Sequence, residues 1–179
     1  MNSQLAEVVK TTVKGIAMHR LPRWNELPDL DIYMDQVLSL IARFFEGYPG
    51  NDDKGLTSSM VNNYVKLGIM PAPKNRKYNR VHLAYLIIIC ILKTVMPIGQ
   101  IGQLISAKVG DCASYEELYN QFVSYFESSV SAVTQTTEQM ASAECDSVDI
   151  VFSAALKAHA EQAVALGLVK TALDAHQQN

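Results

Sequence analysis

The chain has 179 residues, of which 49% are hydrophobic, 18% charged and 8% aromatic, and its formal net charge is -3. This composition excludes collagen-like, mucin-like and disordered chains, and three scattered cysteines with no CxxC pair exclude a disulfide scaffold. The longest apolar run, residues 83–92, is half of what a bilayer crossing needs, and residues 1–20 lack the apolar stretch of a secretory signal, so a cytoplasmic protein without a membrane partner is expected.

Residues 3–19 carry Leu5, Val8, Val9, Thr12, Val13 and Ile16 at helical spacing and read as an amphipathic packing helix, the first of three segments (1–20). Two prolines and Trp24 make residues 21–28 an extended connector, and Ile32, Met34, Val37, Leu38, Ile41 and Phe44/Phe45 predict a helix over 31–46. Residues 47–55 are rich in Gly, Pro, Asn and Asp and read as a loop. Thr57 supplies an N-cap for a short helix, 58–67, which Gly68 closes and Pro71 forbids from resuming. Residues 69–79 predict a loop or short β-hairpin, 80–94 a strongly apolar helix, and Pro97 the start of another helix running through Ile105.

Two further helices, 114–140 and 147–175, fill the last segment (111–179). In the first, Tyr119, Phe126, Val133 and Met140 recur every seven residues. In the second, Val148, Phe152, Ala155, His159, Gln162, Leu166, Val169 and Leu173 alternate steps of four and three. Such heptads predict close helix–helix packing, within the chain or across a dimer.

Charge is distributed unevenly. Residues 1–53 hold 5 basic and 8 acidic side chains, 54–110 hold 8 basic and no acidic ones, and 111–179 hold 2 basic and 10 acidic. A carboxylate-free block inside an acidic protein points to a surface that meets a polyanion, since carboxylates there would repel phosphate. Within that block, Ser59, Asn62, Asn63 and Lys66 fall at i, i+3, i+4 and i+7 and form one polar stripe of the short helix. Amides and ammonium groups can reach base edges in a major groove. Ser58 and Ser59, at the helix start, suit a phosphate, as do the side chains of Lys54, Lys74, Arg76, Lys77 and Arg80 around them. The arrangement has the logic of a helix-turn-helix with a wing, reading double-stranded DNA.

The run Met60-Val61-Asn62-Asn63-Tyr64-Val65-Lys66-Leu67-Gly68-Ile69-Met70-Pro71, then Arg76, Tyr78, a buried helix and Pro97-Ile98 followed by Ile101, resembles the winged DNA-binding domain of MerR-type bacterial transcription regulators. With Leu27-Pro28-Asp29, Tyr33-Met34-Asp35-Gln36-Val37, Leu56-Thr57, Lys77-Tyr78 and Leu92-Lys93, it is similar to a bacterial family known as a domain of unknown function related to those regulators. The resemblance implies a mainly α fold: a MerR-like winged helix-turn-helix domain (21–110) followed by two long C-terminal helices. It implies that 31–46 is the first helix of the motif, 58–67 the recognition helix and 69–78 the wing, and that the acidic helices make a homodimer. The chain departs from the MerR pattern in carrying Asn62-Asn63 where Arg-Tyr is usual, and in the longer 47–56 loop.

No nucleophile elbow, P-loop or zinc-protease motif is present, the four histidines are isolated from one another, and no catalytic residue, metal site or cofactor is expected. His82 reads as a capping or surface residue, Cys90 as buried, and Cys112 and Cys145 as the one pair of thiols able to meet. Tyr115, Tyr119, Phe122, Tyr125 and Phe126 could line an effector pocket, although aromatics at helical spacing more often form core. Two rival readings stand beside the regulator: a helical protein-interaction module without specific DNA binding, and a small-molecule sensor.

Overall fold

The computed structural model describes residues 3–48, 55–142 and 146–176. Among these, the chain forms α1 (Ser3–Met18), a 3-10 turn (Trp24–Glu26), α2 (Met34–Phe44), α3 (Ser58–Lys66), α4 (Arg80–Leu92), α5 (Ile98–Asp111), α6 (Tyr115–Ser142) and α7 (Ser147–His176). Among the described residues, extended pairing is limited to two isolated antiparallel bridges, Ile32 with Tyr78 and Lys74 with Lys77. The protein is mainly α, and no described helix is long and apolar enough to cross a membrane.

Helix α4 is the centre. The residues from His82 to Ile89 are buried without a break, so this helix has no solvent face in its middle and its apolar composition is matched by apolar neighbours on every side. Helices α2, α5 and α6 surround it, and α3 joins through Val61 and Tyr64. Gly102 lets α5 come close to the end of α3: a Cβ there would lie 3.0 Å from Ile69 Cγ1.

The core does not stop where the acidic composition begins. Leu118, Tyr119, Val123 and Phe126 of α6 belong to the same buried cluster as α4. Polar stitches hold the 19–33 connector to this half of α6. Tyr119 Oη donates to the Pro22 carbonyl at 2.8 Å, the Trp24 N–H donates to Asn120 Oδ1 at 3.1 Å, and Arg23 reaches Ser124 Oγ at 2.9 Å and pairs with Glu127. Burial pushes the Tyr119 hydroxyl pKa upward, which keeps it a donor.

Helix α2 starts at Met34, three residues later than the periodicity predicts. The backbone of Ile32 is already paired with Tyr78 (Ile32 N–H to Tyr78 O 2.9 Å, Tyr78 N–H to Ile32 O 2.8 Å), which commits 31–33 to extended geometry. Gln36 Oε1 then accepts the Tyr33 N–H at 2.9 Å and caps the helix.

Candidate nucleic-acid interface

Helix α3 is bounded by its own sequence. Thr57 Oγ1 accepts the Met60 N–H at 3.2 Å, satisfying one of the free amides of the first turn. At the other end Gly68 takes a left-handed φ of +69°. The Gly68 N–H donates to Val65 O and the Ile69 N–H to Tyr64 O, each at 3.0 Å, the two bonds of a Schellman stop. Ile69 and Met70 then turn inward as buried anchors. With Val61 and Tyr64 inside, geometry leaves Ser58, Ser59, Asn62, Asn63 and Lys66 all exposed on the opposite face.

Lys74 to Lys77 close a hairpin of the tightest kind, with the Lys77 N–H donating to Lys74 O at 2.8 Å. Both central residues are left-handed, Asn75 at φ 50° and Arg76 at φ 60°, as a two-residue type I′ turn requires. Asparagine tolerates this conformation; for arginine it costs about 1 to 2 kcal/mol relative to glycine. The tip therefore carries a strained arginine where glycine would fold better. The base of the hairpin is firm: Tyr78 is buried, bridged to Ile32, and its ring meets His82 edge-on at 5.4 Å. Lys77 is half-buried, its Nζ 5.5 Å above the exposed Tyr33 ring.

Lys66, Lys74 and Arg76 have exposed side chains with no ion-pair partner among the described residues. Arg80 differs from them. Its Nε donates to Leu27 O at 3.1 Å, its terminal nitrogen lies 3.6 Å from Asp29, and its guanidinium covers Trp24 at 5.6 Å, so it ties the connector to the start of α4. Lys54 lies outside the described residues. The structure thus brings Ser58, Ser59, Asn62, Asn63 and Lys66 onto one helical face, sets Lys74, Arg76 and Lys77 on the hairpin, and holds Arg80 against the connector. Tyr33 was not expected beside the hairpin. Its signal was the Ile32-Tyr33 pair, strand-favouring residue types after Pro28, which a helical reading of 31–46 conceals.

His82 is a capping residue, but a buried one rather than a surface one. Its Nδ1 accepts the Asn79 N–H at 3.0 Å while Asn79 Oδ1 accepts the His82 N–H at 3.4 Å. Burial lowers its pKa, outweighing the opposing pull of the Ala72 and Asn79 backbone and Asp31. Burial also raises the Cys90 thiol pKa; Cys112 is half-buried, and Cys145 lies outside the described residues. The α6 aromatics do not converge on a cavity: Tyr119 and Phe126 are core, Phe122 packs against it, and Tyr115 and Tyr125 face solvent. An open groove of about 650 Å³ lies instead between α5 and α7, lined by Gln103, Ser106, Leu166 and Lys170 among others. Among the described residues no group of three His, Cys, Asp or Glu side chains could hold a metal ion.

Residues 22–126 match the family described as Domain of unknown function (DUF1836). No curated protein and no solved structure matches the chain.

Proposed function

The chain belongs to the DUF1836 family, and we propose that it is a cytoplasmic, homodimeric transcription regulator that binds double-stranded DNA as a MerR-like winged helix-turn-helix protein. Helix α3 enters the major groove, where Asn62 and Asn63 offer amides to adenine edges and Lys66 an ammonium to guanine or phosphate. Ser58 and Ser59 hold a phosphate at the helix start, and Lys74, Arg76 and Lys77 grip the neighbouring backbone or minor groove.

The observation that carries this reading is the pairing of an outward polar face, free of carboxylate along its own segment, with a strained hairpin that holds Arg76 at its tip. Strain of that kind is held by the structure around it, here the Lys74–Lys77 bridge, and it clusters at binding sites. Fluorescence anisotropy with random and genomic promoter duplexes at two salt concentrations tests it. The expected result is affinity that falls steeply with salt and differs strongly between duplexes. Absence of binding to every duplex at low salt removes the reading.

A second reading, a helical protein-interaction module, is favoured by one observation: the large apolar side chains that α7 leaves in solvent. Salt-insensitive capture of a protein partner, with no DNA binding, would replace the first reading by this one.

A further inference from the structure

Two helices of this chain close their first turn in the same way with different chemistry. At α2, Gln36 Oε1 accepts the Tyr33 N–H at 2.9 Å; at α4 the corresponding residue is His82, whose Nδ1 accepts the Asn79 N–H at 3.0 Å. A glutamine amide accepts at every pH, whereas an imidazole accepts only while neutral. The histidine also stands at a junction. Asn79 is where the Lys74–Lys77 hairpin runs into α4, the Tyr78 ring meets the imidazole edge-on, and the Ala72 backbone acts on it from the arm that enters the hairpin. His82 is 5% exposed, and its Nε2, which carries the proton of the neutral ring, is enclosed without a bonded partner among the described residues.

We propose that His82 is a proton-operated latch on the hairpin: neutral, it pins residues 72–79 to the start of α4, and protonated, it releases them while the rest of the core stays folded. Three features set the closed latch against a second proton. On Nδ1 that proton would face the Asn79 N–H, donor against donor. It would also draw the ring to Asn79 Oδ1, 2.7 Å away, the atom that now accepts the His82 N–H at 3.4 Å, so both bonds of the cap are lost together. The charge, finally, would be buried in the first turn of a helix, at the positive end of its dipole. The surroundings offer little compensation. Asp31 in the connector and the Ala72 and Asn79 backbone favour the charged ring, but burial outweighs them. Residues 69–73 carry no titratable side chain, and the hairpin brings Tyr78 to the ring. On α4 itself the neighbours are Tyr85 one turn on and Arg80, a cation held at Leu27 O and Asp29. Release is local because the hairpin is fastened by Tyr78, its bridge to Ile32 and this cap, whereas residues 83–89 of α4 lie in the main buried cluster.

The latch is independent of DNA; its use, setting how firmly Lys74, Arg76 and Lys77 grip a duplex, rests on the proposed function. Amide hydrogen exchange of the full chain at about pH 7.5 and about pH 5.5, each rate referred to its intrinsic value, tests the latch. A ring with the ordinary pKa of about 6.5 when open raises the opening equilibrium at most about tenfold between those values. The Lys77 and Tyr78 N–H groups, bonded to Lys74 O and Ile32 O, should be less protected than that of Ile87, and their protection should fall by about that factor on acidification. In His82→Gln, which keeps an acceptor and removes the titration, it should stay level. The wild-type chain supplies a second measurement that needs no variant: the His82 ring carbons and the Tyr78 amide should titrate together by NMR. Hairpin amides as well protected as Ile87, an equal fall in His82→Gln, or a His82 titration that leaves Tyr78 unmoved overturns the latch. Fluorescence anisotropy with duplexes at the same two pH values separates the latch from its use. A greater loss of affinity on acidification in the wild type than in His82→Gln supports that use, and equal losses overturn it. No binding at either pH removes the DNA reading and, with it, that use, and leaves the exchange result to decide the latch.

Discussion

Helices α4 and α7 are both apolar around most of their circumference, yet one is enclosed and the other is largely bare. The middle of α4 is surrounded by α2, α5 and α6, so its unpatterned apolar surface is fully used. Of the side chains described on α7, Ile150 and Val169 are its buried ones, and seven large apolar residues stand in solvent. Apolar character around a helix thus has two outcomes. It makes a core where neighbours are tethered close by, and an exposed apolar face where they are not.

That contrast predicts unequal responses to the same substitution. Leu86→Ala in α4 should cost about 2 to 5 kcal/mol, the range for a buried leucine that leaves a cavity. Leu156→Ala in α7 should change the stability of the monomer by less than about 0.5 kcal/mol. Urea unfolding at low micromolar concentration measures both, and equal costs would mean that α7 is covered in the single chain.

The basic hairpin and α3 allow a finer division, between reading and gripping. Asn62→Ala should cost about 1 to 3 kcal/mol on a preferred duplex and little on a random one. Arg76→Ala should weaken all duplexes alike and lower the salt slope by about one unit. Arg76→Gly sharpens the matter further. It should weaken DNA binding while raising stability by about 1 kcal/mol, because glycine takes the left-handed turn without strain. Loss of stability in that variant would mean that the tip is held by contacts of the Arg76 side chain.

The smallest expected effect is that of pH. Burial lowers the pKa of His82 and of His19, the latter set among Phe45, Tyr48 and Phe126, so the folded protein binds these protons less readily than the unfolded chain. Stability is therefore fully present above about pH 6.5, the ordinary histidine value, and declines as pH falls from there through the lowered folded values. Melting temperatures at neutral pH and near pH 5 check the direction, and His82→Gln should flatten part of the slope. At the alkaline end, Tyr85, whose pKa burial pushes up to about 12, resists ionising in the fold while the unfolded chain ionises near pH 10, so stability falls again above that point.

Local chemistry was readable where the determinants are adjacent in sequence. Thr57 and Gly68 bracket α3 because capping involves residues one turn apart, and the polar stripe from Ser59 to Lys66 follows from helical spacing alone. The start of α2 was misread because its determinant, Tyr78, lies far along the chain. Arg80 looked like one more cation of a basic run until Leu27, Asp29 and Trp24 came to meet it. The type I′ tip was hidden for a different reason: Arg76 is a poor residue for that conformation, so local preference argues against what the Lys74–Lys77 and Ile32–Tyr78 bridges impose.

The sequence by itself determined the helical class, most helix limits, the caps of α3 and the absence of carboxylates from residues 54–110, because each depends on composition, periodicity or contacts within a turn or two. Tertiary structure decided which apolar stripes are used. The acidic composition after residue 110 suggested a separate region, but Tyr119 and Phe126 reach into the core beside α4 while Phe152 and Leu156 stand largely in solvent. Heptad spacing specifies that a face seeks a partner; only the path of the chain through space decides whether that partner is already attached.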